Sequence, residues 1–260
     1  MRDILDGVPE PEDAHEKARA HARRALPRRF YKAVSVEPLG DGGFAILLDG
    51  RAVRTPAKTQ IAVPVRAVAD ALALEWDAQS EKIDPAKMPL TRLVNSVLDA
   101  VARDPEPVRA EIVKYAGSDL VCYRAEGPES LAAAQAAAWD PVLAFARERF
   151  GAEFQLAGGI MHVAQPADAI AAIAEAVRPF DVFRLGALHV VTALTGSALI
   201  ALALAHGVID GEAAFAAAHV DEDWNAARWG SVPEAEAQRA VRRADMMAAA
   251  LMLQAEMPPA

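Results

Sequence analysis

The chain has 260 residues and a formal net charge of −9, from 36 acidic and 27 basic side chains. Binding to nucleic-acid phosphates requires clustered lysines and arginines, so this charge argues against a nucleic-acid partner. Hydrophobic residues make up 53% of the chain and aromatic residues 6%, with alanine supplying much of the apolar content. Alanine is the strongest helix former, and we therefore predict a mostly helical protein. The single cysteine, Cys122, excludes an internal disulfide and fits a reducing compartment.

Residues 1–29 are predicted to form an N-terminal arm that is partly helical or flexible. Acidic residues come first in this arm, and a basic stretch from Lys17 to Lys32 follows. A secretory signal peptide needs an apolar run after its early positive charge, and none follows here. The start is also too acidic for a mitochondrial presequence. We therefore expect a bacterial cytoplasmic location, or the mitochondrial matrix if the protein is eukaryotic.

Residues 30–64 are predicted to form a small antiparallel β-rich domain. Short β-prone runs in this segment are separated by the glycine-rich residues 40–43 and by Asp49-Gly50. An Asp-Gly pair between apolar runs indicates a hairpin, because a type I′ turn needs positive φ at both central residues.

The rest of the chain is predicted to be helical. A helical lead-out to about residue 104 contains one helix after Pro64 and a second, amphipathic helix. The apolar residues of that second helix follow helical spacing: Leu90, Leu93, Val94, Val97, Leu98 and Val101. Residues 105–260 are predicted to form a larger all-helical C-terminal domain, with a break or kink at Pro141 and one helix over 211–229. The predicted fold class is therefore α+β.

The segment from Leu185 to Ala205 contains no charged residue and is about long enough to cross a bilayer. Polar residues dilute it, and it lacks aromatic anchors and a strong basic flank. A buried helix in the middle of a bundle is therefore favoured over stable membrane insertion, with Gly196 as a candidate notch.

The sequence contains no recognisable catalytic constellation. Its six histidines are scattered without the spacing of a zinc site, so no metal is predicted. The glycine-rich residues 40–43 lack the lysine and hydroxyl of a phosphate-binding loop and are interpreted as a turn. We expect no cofactor and no small-molecule substrate, and binding to another protein is favoured over catalysis.

Six blocks in order carry a more specific signal. They are LLDGRAVRTPAK at 47–58, LALEWDAQSEKIDPAKMPLTRLVNSVLD at 72–99, Asp119-Leu120 with Cys122-Tyr123-Arg124, Gln135 through Trp139-Asp140-Pro141, residues 194–197, and Asp221-Glu222 leading to Arg228-Trp229-Gly230. Together they resemble the ATP12 family, the assembly chaperones of the F1 part of ATP synthase. The resemblance runs from about Phe30 to the C-terminus and leaves the N-terminal arm unmatched.

The resemblance implies a chaperone that binds the unassembled F1 α subunit and prevents its aggregation until the β subunit displaces it. It also implies no enzymatic activity, and a β-rich domain ahead of a helical one. An unassembled subunit exposes an apolar interface that is prone to aggregation, and a reversible binder can cover such a surface.

Candidates for partner binding lie towards the end of the helix predicted over 211–229. They are Asp221, Glu222, Asp223, Arg228 and Trp229. The family implies a functional acidic residue in this region without deciding among the three acids, and Arg and Trp are enriched at interfaces. In a continuous helix Glu222 shares a mainly apolar stripe with Phe215, Ala218, Ala226 and Trp229, where an acid needs a partner. That partner is either an internal arginine such as Arg228 or Arg242, or a basic residue of the client.

Structural roles are predicted for the residues of the longest block: Glu75, Trp76, Asp77, Pro89, Leu90, Thr91 and Asn95. Trp76 falls on the apolar stripe of its helix, which favours core packing.

Two alternative functions stay open at this point. One is a small-molecule enzyme with an acidic pocket between the two domains, marked by acids with perturbed pKa and a convergent histidine. The other is a membrane-associated factor anchored by the apolar helix.

Overall fold

The computed structural model describes residues 26–40, 42–159 and 161–255. A small antiparallel sheet comes first and ten helices follow in this part of the chain, so the predicted α+β class is confirmed. The arm prediction for residues 1–25 lies outside the described residues. The domain division at about residue 104 stays a prediction.

Strand β2 is the centre of the N-terminal sheet. The strands are β1 (Val34–Pro38), β2 (Phe44–Leu48), β3 (Arg51–Ala52) and β4 (Ala62–Val63). β2 pairs antiparallel with β1 along its whole length, with β4 at its start and with β3 at its end. Asp49 and Gly50 connect β2 to β3 with φ values of 48° and 78°, which are the positive values that the Asp-Gly pair predicts.

The first five helices are α1 (Arg66–Asp77), α2 (Pro89–Ser96), α3 (Glu106–Ala116), α4 (Glu129–Phe150) and α5 (Ala167–Val177). α2 continues into a π-helical turn at Val97–Val101. The break predicted at Pro141 is absent, because α4 continues through it with Trp139 and Val142 buried on either side. Two short parallel strands, β5 (Tyr123–Arg124) and β6 (Ala157–Gly158), flank α4 in the sequence.

The remaining helices are α6 (Val182–Thr195), α7 (Ala198–Ala205), α8 (Gly211–Ala218), α9 (Val220–Trp229) and α10 (Pro233–Gln254). Gly196, with φ of 68°, divides the apolar segment into α6 and α7. Every residue of α7 from Ala198 to Leu204 is buried. Across the described residues, no helix combines the length and the apolar character needed to cross a bilayer.

Helix α6 lies at the centre of the helical part and packs along α10, α7 and α3. Its Gly186 faces the π-helical turn, and a Cβ added there would overlap the Val97 side chain. Only glycine therefore permits this close approach. Buried residues from Tyr31 in the N-terminal part to Leu253 in α10 join in one core cluster.

The single helix predicted over 211–229 is wrong, because the chain breaks at His219 between α8 and α9. In a continuous helix the Phe215 and Ala217 carbonyls would accept from backbone N–H groups four residues later. Instead the His219 ring nitrogen Nδ1 lies 2.7 Å from the Phe215 oxygen, and the Trp139 indole donates to the Ala217 oxygen at 2.7 Å. These side chains replace helical hydrogen bonds and end α8.

Candidate functional site

The break at His219 divides the apolar stripe that the sequence predicts for Glu222. Phe215 is buried in α8, whereas α9 has no buried residue and Trp229 at its end is 74% exposed. Glu222 therefore lies on an exposed helix and not on an apolar buried stripe. α9 itself packs on α4, where the buried Gln135 fixes its first turn.

The three acids at the start of α9 have different surroundings. Asp221 accepts a hydrogen bond from the Gln135 amide at 2.7 Å, and the Gln135 carbonyl oxygen accepts from the Ala125 N–H. Asp223 forms an ion pair with Arg239 of α10 at 2.7 Å. The Glu222 carboxylate has no hydrogen bond or ion pair to any described residue. Of the three acids, Glu222 is therefore the one whose carboxylate is open to a partner.

Neither internal arginine considered for Glu222 pairs with it within the described chain. The Arg228 guanidinium stacks on the Trp224 ring at 3.5 Å and donates to the Ser130 hydroxyl at 3.0 Å. Arg242 donates to the Leu194 carbonyl at 2.9 Å. Within the described chain, Glu222 therefore lacks the internal arginine partner that the sequence left open.

Two cavities meet at Glu222. The larger, about 660 Å³, is a groove between α9 and α10, and we call it the α9–α10 groove; its lining includes His219, Glu222, Val232, Arg239 and Arg242. The smaller, about 350 Å³, is lined by polar and apolar residues that include Thr195 and Asp221. Glu222 and Arg242 line both cavities. Cavities of this size and openness suit side chains of a bound protein segment.

The long sequence block joins α1 to α2 through Glu75. Its carboxylate accepts hydrogen bonds from the backbone N–H groups of Leu90 and Thr91, at 2.7 and 2.8 Å, and from the Thr91 hydroxyl at 2.8 Å. Burial raises the pKa of Glu75, while the bonds from Thr91 and Leu90 oppose the rise. Pro89 stands in the first turn of α2, and Met88 before it provides no side-chain cap. Glu75 therefore caps a helix that is distant from it in the sequence.

The other residues of this block lie around the same junction. The Trp76 ring packs edge-on against Tyr31 at 5.9 Å, and its carbonyl accepts from the Tyr31 hydroxyl at 2.7 Å. Asp77 pairs with Arg29 at 3.1 Å. Within the described residues, the Trp76 indole nitrogen and the Asn95 side-chain oxygen are buried without a hydrogen-bond partner. The geometry supports the structural roles that the sequence predicts.

Asp119, a buried carboxylate whose pKa is strongly raised, also caps helices. Asp119 accepts from the Val121 N–H at 3.2 Å and from the Leu199 N–H, at the start of α7, at 3.0 Å. Burial raises the pKa of Asp119 to about 6, against hydrogen bonds that include one from Ser197. In the described chain, no group of three or more His, Cys, Asp or Glu side chains could hold a metal ion.

The enzyme alternative requires an acidic pocket between the two predicted domains. A cavity between β4 and α1 on one side and α6 and α10 on the other holds about 10 Å³, and its lining residues are Val63, Pro64, Val65, Val68, Phe183, Arg184 and Met252. It contains no acid, and it has the size of about one water molecule. Glu75 and Asp119, whose pKa values burial raises, are engaged as helix caps. These observations do not support a substrate pocket there.

Sequence reasoning did not single out His219 and Gln135 as parts of this site. Neither carries a motif, and both depend on contacts distant in the sequence, such as the 2.7 Å bond between Gln135 and Asp221. The glutamine lies in one of the six ordered blocks, and that was its only signal.

Comparisons with known proteins identify the family. The model of the ATP12 chaperone protein family matches residues 28–147. Atp12 from Paracoccus denitrificans has a crystal structure that superimposes with a TM-score of 0.79 at 40% identity, covering 87% of this chain and 97% of that one. The chain belongs to the ATP12 family. It is an ATP12-family chaperone of ATP synthase assembly.

Two further relatives agree with this assignment. The Atu1473 protein of Agrobacterium tumefaciens has a TM-score of 0.84 at 47% identity, covering 96% of this chain and 92% of that one. The mitochondrial protein atp12 of Schizosaccharomyces pombe is 22% identical over 220 residues, which are 80% of this chain and 75% of the relative. The ATP12-family resemblance predicted from the six blocks is thereby confirmed.

Proposed function

We propose that this ATP12-family chaperone binds the unassembled F1 α subunit, prevents its aggregation, and is displaced by the β subunit. The family supplies the role in ATP synthase assembly, and the choice of the α subunit is the step that we add. In this proposal the protein has no catalytic activity and no cofactor. Its proposed location is the bacterial cytoplasm, or the mitochondrial matrix in a eukaryote.

We propose that the client binds at α9 and in the α9–α10 groove, whose lining does not include Glu234. The observation that supports this site is Glu222, an exposed carboxylate without an internal partner between two cavities. Exposed apolar side chains border it: Val232 lines the α9–α10 groove and is 58% exposed, and Trp229 directly precedes the groove residue Gly230. An open charge and an exposed tryptophan on the same surface helix are the composition of an interface that forms and separates.

The remaining candidates have supporting roles in this proposal. Asp221 and Asp223 hold α9 against Gln135 and Arg239, and Arg228 holds Trp224 against α4 through Ser130. These contacts fix the direction in which Glu222 and Trp229 are presented. Side chains held in this way lose less conformational entropy when the client binds.

Binding of isolated F1 α, with isolated F1 β as a control, tests this function. We expect a complex with α on gel filtration and none with β. Glu222→Lys should weaken the affinity for α by roughly tenfold or more, because it places a positive charge where the client's basic group binds. Glu234→Lys, at an exposed acid in the first turn of α10, is the matched control and should change the affinity less than twofold. Absence of any α complex with the unaltered chain would contradict the proposed function.

A further inference from the structure

Helix α9 also borders a second groove, which apolar side chains line. This groove has a volume of about 540 Å³ and lies between α4 and α8, and we call it the α4–α8 groove. Of the described residues in its lining, only Asp223 carries a charge; the others are alanines, a proline, aliphatic side chains and Trp224. Val208 in this lining is 48% exposed. A contiguous apolar surface that stays open to solvent is typical of a site that binds another molecule.

Hydrogen bonds to α4 hold the walls of this groove in place. The indole of Trp139 in α4 donates to the Ala217 carbonyl at 2.7 Å and so fixes α8. The indole of Trp224 donates to the Ser130 hydroxyl at 3.3 Å, and the Arg228 guanidinium covers the same ring at 3.5 Å. The groove is therefore formed before a ligand arrives, so binding there requires little ordering of the chain.

The α4–α8 groove has room for large side chains because small ones form its walls. The alanines of its lining include Ala134, Ala137, Ala138, Ala213 and Ala216. An apolar cavity of about 150 Å³ holds one benzene molecule, so this groove has room for roughly three apolar side chains of that size. A charged group would lose water there and gain no opposite charge, because Asp223 already pairs with Arg239. The groove therefore suits an apolar segment with several large side chains.

The α4–α8 groove is continuous with the surface at which we propose that the client binds. Asp223 lines both this groove and the α9–α10 groove. The Trp224 ring packs edge-on against the exposed Trp229 at 5.7 Å. The two grooves differ in chemistry, since five charged residues that include Glu222 and Arg242 line the α9–α10 groove. A client that covers α9 thus meets a charged groove and an apolar one, and the apolar one is able to shield exposed apolar side chains from water.

We propose that the client lays an amphipathic segment across α9 and buries its large apolar side chains in the α4–α8 groove. This inference rests on the proposed function, since it specifies the chemistry of the F1 α segment that the chaperone holds. The charged α9–α10 groove sets the position of the segment, and the α4–α8 groove removes its apolar face from water. Aggregation of the unassembled subunit is thereby prevented at the segment that is most prone to it.

The first test places a charge in the α4–α8 groove and measures the affinity for isolated F1 α. Ala137 is an exposed alanine of α4 in the lining of the groove. Ala137→Glu should weaken binding by about tenfold or more, because the bound segment would bury the new charge. Ala171→Glu is the matched control, at an exposed alanine of α5 that lines neither groove, and should change the affinity by less than about twofold.

Thermal melting of each variant reports on folding separately from binding. Ala213→Glu, at an exposed alanine of α8 in the same lining, replaces Ala137→Glu if the first variant melts early, and the same loss of affinity is expected. Equal affinity of a folded groove variant and the unaltered chain would overturn the inference while leaving the proposed function intact.

The second test needs no client and so separates the two proposals. A fluorescent amphipathic peptide with leucines at positions i, i+4 and i+7 is titrated with the full chain, and the same peptide with alanines in place of the leucines is the control. We expect anisotropy to show that the leucine peptide binds the unaltered chain and Ala171→Glu, and binds Ala137→Glu at least about fivefold more weakly. If F1 α does not bind but this difference appears, the proposed function is wrong and the apolar site stands. Equal binding of both peptides, or no binding of the leucine peptide to the full chain, would overturn the inference.

Sedimentation velocity shows whether a second copy of the chain fills the groove instead. We expect the unaltered chain and Ala137→Glu to have the same sedimentation coefficient, because the groove is reserved for the client. A dimer that Ala137→Glu dissociates would assign the α4–α8 groove to a second copy and would overturn the client as its occupant.

Discussion

Replacing Glu75 by alanine tests how the longest sequence block stabilises the fold. The change removes three hydrogen bonds of 2.7 to 2.8 Å from the start of α2, where no other side chain caps the helix. Loss of a helix cap costs about 1 kcal/mol, and leaving a buried N–H unsatisfied costs about 1–3 kcal/mol more. Glu75→Ala should therefore lower the free energy of unfolding by roughly 2–4 kcal/mol.

The assay for Glu75→Ala is urea unfolding followed by far-ultraviolet circular dichroism at neutral pH. Glu81→Ala is the matched control, because Glu81 is an exposed acid of the same block whose side chain makes no contact of this kind. The control should change the free energy of unfolding by less than about 0.5 kcal/mol. If Glu75→Ala were as stable as the control, the capping argument would be refuted.

Three further substitutions probe the core by its stability. Trp76→Arg should lower the free energy of unfolding by at least about 2 kcal/mol, because it replaces the ring that packs on Tyr31 by a partly buried charge. Trp76→Phe is the milder control, and an unchanged Tm of Trp76→Arg would contradict the expected loss. Gly186→Ala should cost roughly 1–3 kcal/mol by overlap with Val97, whereas Gly40→Ala, with open space around it, should be near neutral in the same urea assay. The pKa of Asp119 is raised to about 6 in the folded state, against an ordinary 3.8. As the pH falls, the folded state therefore binds a proton before the unfolded state does. The stabilisation that this proton provides is fully present below about pH 4 and is lost as the pH rises through 6. The stability difference between the unaltered chain and Asp119→Asn should therefore fall by on the order of 3 kcal/mol from pH 4 to 7, and a pH-independent difference would contradict the shift.

The elements that the sequence predicted well are those whose signals are local. The Asp49-Gly50 turn needs positive φ at two adjacent residues, and few residue pairs other than Asp-Gly or Asn-Gly provide it. The amphipathic residues from Leu90 onward mark α2 by their spacing alone. In both cases neighbouring residues contain the whole argument, so no knowledge of the tertiary structure is needed.

The break at His219 could not be predicted in this way. The segment on both sides of it is rich in alanine, and only a hydrogen bond from Trp139, 78 residues earlier in the chain, takes the Ala217 carbonyl out of the helix. That break decides which way Glu222 faces, so the sequence could not show that its carboxylate lacks a partner in the described chain. The helix cap provided by Glu75 to Thr91 is a second tertiary contact of this kind.

Light scattering of freshly diluted, isolated F1 α subunit, with and without this protein, tests the central claim most directly. F1 β and an unrelated aggregating protein serve as controls. The account predicts that an equimolar amount of the chaperone suppresses scattering of α alone, and that Glu222→Lys loses this effect while Glu234→Lys keeps it. Suppression of all three aggregating proteins alike, or of none, would contradict a chaperone specific for F1 α.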